Sequence, residues 1–210
     1  MPEFMNRILA SQLRQPHGWL GSLVVSRVMN RVNRKITVST LDLLDLQPHH
    51  HVLEIGFGGG VGLAALLARV PQGTASGVDI SDVALGKAQR RFRRDIAQGR
   101  LCLQPGDVCQ LPFPDQAFDR VFTINTIYFW AEPAKGMAEI YRVLKPGGRA
   151  AVSIRSAEKM RQHAVTKYNF QLFSADDVAA LMRQAGFENI RVDHKDQEHW
   201  YDQVIVVGTR

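Results

Sequence analysis

Two acidic residues on either side of a glycine run carry the clearest chemistry in this sequence. Glu54 precedes Gly56 by two positions in "VLEIGFGGGVG", Val52 to Gly62, and Asp79 lies in "TASGVDI". Five glycines fall in the seven positions from Gly56 to Gly62. Glycine tolerates positive φ and has no Cβ to hold a ligand away, so such a loop lets backbone approach a bound group. A helix starting near Val61 would aim its unpaired N–H groups at the same place. One glycine suffices for a tight turn, and the excess points to a ligand.

The spacing narrows the ligand. A phosphate loop needs Lys-Ser or Lys-Thr after its glycines, and none follows here. The dinucleotide fingerprint G-x-G-x-x-G needs a third glycine at position 61, which is Val61; read from Gly58 it fails at Leu63. Asp79 falls where an acid can accept from both hydroxyls of a ribose, which argues for a nucleoside without separating the candidates. Glu54 at the mouth of the loop repels a pyrophosphate and suits a ligand carrying an ammonium and a sulfonium.

These residues need elements to hold them. "HVLEIG" reads as a buried strand, "LAALLARV" as a helix and "TASGVDI" as a second strand. A helix over 82–97, strands in "RLCLQPGD" and "FDRVFTINTIYF", a helix over 133–144 and a strand in "RAAVSIR" continue the alternation. Lys145-Pro146-Gly147-Gly148 stops the helix before that strand. Ser174 and Asp177 make a capping-box start for a helix closed by Gly186, and two strands, "ENIRVDH" and "WYDQVIVVGTR", end the chain. Alternating strands and helices specify a parallel sheet covered on both faces. The last two strands leave no room for a crossover helix, so they should be antiparallel. Ahead of this, a period of four from Leu20 to Ile36 predicts a helix over 19–36, and "TLDLLDL" a shorter one before Pro48. The expectation is one α/β unit over 47–210, with residues 1–46 as a helical extension of the same domain.

Composition excludes little but bounds the class. At 210 residues, 45% hydrophobic and 22% charged, the chain suits a single globular domain. Its longest apolar run, "VGLAALLARV", is too short to span a bilayer, and the first residues contain no signal-type apolar stretch. Two cysteines, Cys102 and Cys109, fit reduced thiols and a cytoplasmic setting. The net charge of +6 concentrates in residues 1–40 and in Lys87, Arg90, Arg91, Arg93 and Arg94. Solvated helix faces explain these clusters better than nucleic acid does. The adjacent His49, His50 and His51 cannot all face one metal ion, and no metal site is expected.

In "VLEIGFGGGVG", "GVDIS" (Gly77 to Ser81), "GDVCQLPFPDQAFDRVFT" (Gly106 to Thr123) and "EIYRVLKPGGR" (Glu139 to Arg149), the sequence resembles class I S-adenosylmethionine-dependent methyltransferases. The last three blocks resemble the small-molecule and quinone methyltransferases in particular. The resemblance implies a Rossmann-like, doubly wound, seven-stranded sheet, mostly parallel with an antiparallel last strand, and S-adenosylmethionine as cofactor. It implies that Glu54, Gly56 and Gly58 line the methionine part, Asp79 holds the ribose and Ile80 lies on the adenine. Asp107 and Val108 would meet the adenine edge, and Asn125 and Thr126 would border the sulfonium and the acceptor.

For the acceptor the pattern is sparser. "NTIY", Asn125 to Tyr128, lacks the two prolines of the nucleic-acid amino methyltransferases, which disfavours a base as acceptor. Tyr128 and Trp130 could wall a flat, quinone-like molecule, and Trp19, Met29, Asn30 and Asn33 could reach it from the N-terminal helix. Tyr128, His17 and His163 are the candidates for a general base. The expectation is therefore methyl transfer to an O, N or C atom of a small aromatic or heterocyclic metabolite. A nicotinamide-dependent oxidoreductase and a nucleic-acid methyltransferase using the basic clusters are the alternatives. The oligomeric state stays open.

Overall fold

The computed structural model describes residues 34–161, 171–197 and 201–210. Its strands are β1 (His51–Ile55), β2 (Thr74–Asp79), β3 (Leu101–Pro105), β4 (Phe118–Ile124), β5 (Leu144–Arg155), β6 (Glu188–Gln197) and β7 (Tyr201–Thr209). They form one seven-stranded sheet in the order β3-β2-β1-β4-β5-β7-β6. Strands β1 to β5 pair in parallel, and β7 runs antiparallel to both β5 and β6. The expected Rossmann-like sheet with its antiparallel last strand is thus the observed one. Strand order reverses between β1 and β4, which opens a crevice at their carboxyl ends.

Helices cover both faces. The helical residues 34–42 (α1), α2 (Val61–Arg69) and α3 (Asp82–Arg91) contribute to a core built on Leu41, Leu44, Leu63, Leu66, Ala88 and Phe122. A short α4 (Arg93–Ala97) follows α3, the expected single helix being interrupted at Phe92. The other face buries α5 (Pro133–Val143) and α7 (Ala175–Ala185) through Met137, Ile140, Val178 and Met182. Between them lies α6 (Ala157–Arg161). The Ser174 capping box and the left-handed Gly186 bound α7 as its sequence predicts.

The N-terminal boundary differs from expectation. Instead of one helix ending at residue 36 and another starting at Thr40, α1 runs through 34–42 without a break. Ile36, Thr40, Leu41 and Leu44 are buried, and Thr40 satisfies its hydroxyl on the Ile36 carbonyl at 2.9 Å. Burial of one face outweighs the weak helix preference of the β-branched run "ITVST". The rest of the predicted 19–36 helix lies outside the described residues. Arg120 of β4 donates to the Leu44 carbonyl at 2.6 Å and ties this segment to the sheet.

The loop from β3 to β4 is held by α5. Glu139 accepts from the Leu111 N–H at 2.8 Å, and Arg142 pairs with Glu139. Arg142 also donates to the carbonyls of Phe113 and Leu111 and to Asp115. The Arg142 guanidinium holds the Glu139 carboxyl below the usual carboxylate range. Truncating Arg142 leaves two loop carbonyls without these donors. Arg142→Ala is expected to cost about 1–3 kcal/mol in denaturant unfolding, with Arg142→Lys recovering only part, because one ammonium cannot reproduce the fork. An unchanged denaturation midpoint for Arg142→Ala would contradict this role.

Candidate cofactor site

The carboxyl ends of β1, β2 and β4 meet at one place. In register, Glu54 lies beside Gly77 and Phe122, and Ile55 beside Val78 and Thr123. Gly56 continues β1 by donating to the Val78 carbonyl at 2.7 Å, so the glycine loop begins level with Asp79. Asp79 accepts from the Gly58 N–H at 2.8 Å through one oxygen and from the Ser81 N–H at 2.9 Å through the other. Each oxygen keeps a further lone pair. Burial pushes the Asp79 carboxyl up, and these two donors oppose the push.

Four of the loop's five glycines have distinct surroundings. A Cβ on Gly56 would lie 2.4 Å from Thr126 Cγ2, and one on Gly60 2.7 Å from the Phe92 ring. A Cβ on Gly62 would sit 2.0 Å from Glu54 Oε1. Gly58 alone of these four faces open space, with φ +46° and nothing within 4 Å. Gly58 is therefore the open position among these four, while Gly56, Gly60 and Gly62 admit the protein's own side chains. Arg91 braces the outer side by donating to the Gly59 carbonyl at 2.7 Å.

Glu54 is not at the mouth of the loop, where its place in the sequence suggests. It is 4% exposed, beneath the loop and against the start of α2. Gly60, in the N-cap position of α2, brings no side-chain cap, and the Leu63 N–H stabilises the ionised Glu54. Its Oε2 is buried with no partner. Burial first, and the Asp79 charge second, push this carboxyl well above its ordinary value.

Ile80, next to Asp79, is 55% exposed, an unusual placement for an isoleucine directly after a buried strand. Asp107 is exposed and accepts from the Cys109 N–H at 2.8 Å; Val108 puts its side chain into the core. Gly58, Asp79, Ile80 and the loop starting at Gly106 follow neighbouring parallel strands. Gly106 donates to the Asp79 carbonyl at 3.2 Å, which joins that loop to the β2 exit.

After β4, Asn125 takes a left-handed φ of +57°, and its N–H donates to the Ser153 carbonyl at 2.9 Å. Thr126 lies over Gly56, shares a short hydrogen bond with Thr123 and accepts from Trp130 Nε1 at 3.1 Å. The expected acceptor wall of Tyr128 and Trp130 is corrected here. Both are buried, at 3% and 5% exposure, with Ile127–Phe129 forming a 3-10 turn that tucks them inward. The Trp130 ring packs against Gly136 of α5. Tyr128 accepts from the Arg155 N–H at 2.5 Å and donates to Asn125 Oδ1 at 3.3 Å. Burial pushes its phenol up, which works against its use as a general base. Alternation of polar and apolar letters in "NTIYFW" carries no sign of this turn. The Tyr128–Asn125 bond is consequently a feature the sequence reading misses.

His17, Trp19, Met29, Asn30, Asn33 and His163 lie outside the described residues. His50 and His51 sit at the opposite end of β1. There His50 Nδ1 accepts from the Gln47 N–H at 3.1 Å, and His51 Nδ1 lies 2.8 Å from the Thr74 hydroxyl. Among the described residues no three His, Cys, Asp or Glu side chains cluster as metal ligands, and no helix is long and apolar enough to cross a membrane.

Comparison with known proteins agrees with this geometry. Residues 53–152 match a methyltransferase domain family. An uncharacterized methyltransferase, YdaC of Bacillus subtilis, is 29% identical over 83% of this chain and 91% of its own length. A demethylmenaquinone methyltransferase of Symbiobacterium thermophilum is 38% identical over 49% of this chain, which spans 41% of that protein. In fold, the chain superimposes with a TM-score of 0.77 on the methyltransferase solved in complex with the Haloferax volcanii Trm112 activator. That match covers 97% of this chain and 96% of the other at 20% identity. In sequence and in fold the chain is thus similar to S-adenosylmethionine-dependent methyltransferases, enzymes whose cofactor is S-adenosylmethionine. The residues at the strand exits fit that group: Gly58 leaves open space, Ile80 offers an uncovered apolar surface, and Asp79 keeps free acceptor capacity.

The buried Glu54 has a measurable consequence. A carboxyl whose folded value lies above its unfolded one withdraws stability as pH rises through the unfolded value toward the folded one. Glu54→Gln removes that penalty. The ligand-free variant is expected to melt above the wild type at neutral pH, with the gap closing below about pH 4. Calorimetric melting across pH checks this, and a gap independent of pH would contradict it.

Proposed function

We propose that the protein transfers the methyl group of S-adenosylmethionine to an O, N or C atom of a small aromatic or heterocyclic metabolite, in the cytoplasm. The observation that carries the donor half is the Asp79 carboxylate bonded to Gly58 N–H, beside the exposed Ile80. Asp79 holds the ribose with its remaining lone pairs, Ile80 covers one face of the adenine, and Asp107 and Val108 meet its edge. Gly56 and Gly58 shape the floor of the methionine part. Glu54 acts there through its charge from below, rather than as a lining group.

The cofactor supplies an electrophilic methyl group, and the chain's task is placement. Holding the acceptor in line and excluding water can contribute about 7–11 kcal/mol. Asn125 and Thr126 stand at the exit of β4, where the methyl group and the acceptor meet in this reading. Their positions are fixed from behind by Ser153, Tyr128, Trp130 and Thr123. On the acceptor side this reading assigns Trp19, Met29, Asn30 and Asn33 of the N-terminal segment. A base, where the acceptor requires one, comes from His17 or His163. The similarity to a demethylmenaquinone methyltransferase supports a flat, quinone-like acceptor.

Titration calorimetry with S-adenosylhomocysteine and with NADH tests the donor half. Binding of the former and none of the latter is expected, and the reverse would return the site to nicotinamide chemistry. Asp79→Ala is expected to abolish S-adenosylhomocysteine binding; unchanged affinity would remove Asp79 from the ribose.

A further inference from the structure

Glu54 and Asp79 place two interacting carboxyls at the glycine loop, and among the described residues no side-chain cation compensates them. Glu54 is 4% exposed and Asp79 9%. Asp79 is satisfied by two backbone donors, whereas Glu54 leaves Oε2 buried without a partner. The groups facing Glu54 from each packed element are few. The neighbouring strands present Gly77 and Phe122, α2 presents Gly62 and the Leu63 N–H, and β2 adds the Asp79 charge. On α3, Asp82 is exposed, and Arg91 is occupied at the Gly59 carbonyl on the outer side. Among the described residues no Lys or Arg acts on either acid.

Such a pair resists double ionisation until a positive charge arrives. The methyl donor carries a sulfonium charge that its demethylated product lacks. We propose that Glu54, acting with Asp79, makes the site selective for the charge of the cofactor, favouring the sulfonium-bearing donor over the neutral product and releasing one proton to solvent as the donor binds. The proton leaves the Glu54–Asp79 pair, no covalent bond changes, and the pair's new negative charge would offset the added positive charge of the donor. Burial raises the Glu54 carboxyl, which supplies the proton to be released. The product induces no comparable release and is held less firmly, which favours turnover. This inference rests on the donor being seated above Gly58 and Asp79.

Isothermal titration of S-adenosylmethionine and S-adenosylhomocysteine, from about pH 5.5 to about pH 8.5 in two buffers of different ionisation enthalpy, tests it. Donor affinity is expected to rise with pH, approaching tenfold per unit where release is complete, with the matching proton appearing in the buffer heats. Product affinity should change far less. In Glu54→Gln the two slopes should converge and the donor-to-product ratio fall, with circular dichroism confirming the fold. Equal slopes for both ligands in the wild type would overturn the proposal without need of any variant, and would leave the cofactor reading intact. Failure of both ligands to bind the wild type would overturn that reading and the proposal together.

Discussion

The bond from the Gly58 N–H to the Asp79 carboxylate is the constraint on which the site depends. It joins the loop after β1, beside the reversal of strand order, to the exit of the neighbouring β2. Parallel pairing brings Gly56 level with Asp79, and the left-handed conformations of Gly56, Gly58 and Gly60 let the chain turn over the sheet edge within a few residues. The loop then enters α2, whose Leu63 N–H stabilises the ionised Glu54. Burying that second acid works against stability, because an ionised carboxyl in an apolar setting loses its hydration. Local strain and poor solvation of this kind collect at functional sites, where a ligand can relieve them.

Much of the architecture follows from patterns that the letters carry. Alternating strands and helices gave the parallel sheet, and the short link between the last two strands dictated an antiparallel end. Caps at Ser174 and Gly186 marked α7 because capping chemistry is local. The break in expectation at 34–42 is tertiary: Ile36 and Leu41 are drawn into one buried face, and the helix continues across a β-branched run. Phe92 interrupts the next expected helix for a related reason, packing its ring under Gly60.

The site was legible unevenly. Gly58 and Asp79 stand where their spacing places them, since both follow strands whose register is set by parallel pairing. The purpose of Gly56, Gly60 and Gly62 was not legible, because each accommodates a side chain distant or hidden in sequence: Thr126, Phe92 and Glu54. Depth was the property the sequence concealed most. Glu54, Tyr128 and Trp130 read as groups that meet a ligand, yet all three are buried. Tyr128 and Trp130 instead orient Asn125 and Thr126, so polar groups at the exit of β4 are held by aromatic residues behind them. Glu139 and Arg142 likewise serve the site at one remove, by pinning the loop that bears Asp107 and Val108.

The central claim is that a nucleoside lies across the exits of β1 and β2, above Gly58 and against Asp79. A crystal structure of the complex with S-adenosylhomocysteine measures this most directly. The account predicts the ribose hydroxyls within hydrogen-bond distance of Asp79, the adenine covering Ile80, and the homocysteine part over Gly58 with Glu54 still buried beneath it. Ligand density elsewhere on the sheet edge, or a ribose out of reach of Asp79, would contradict it.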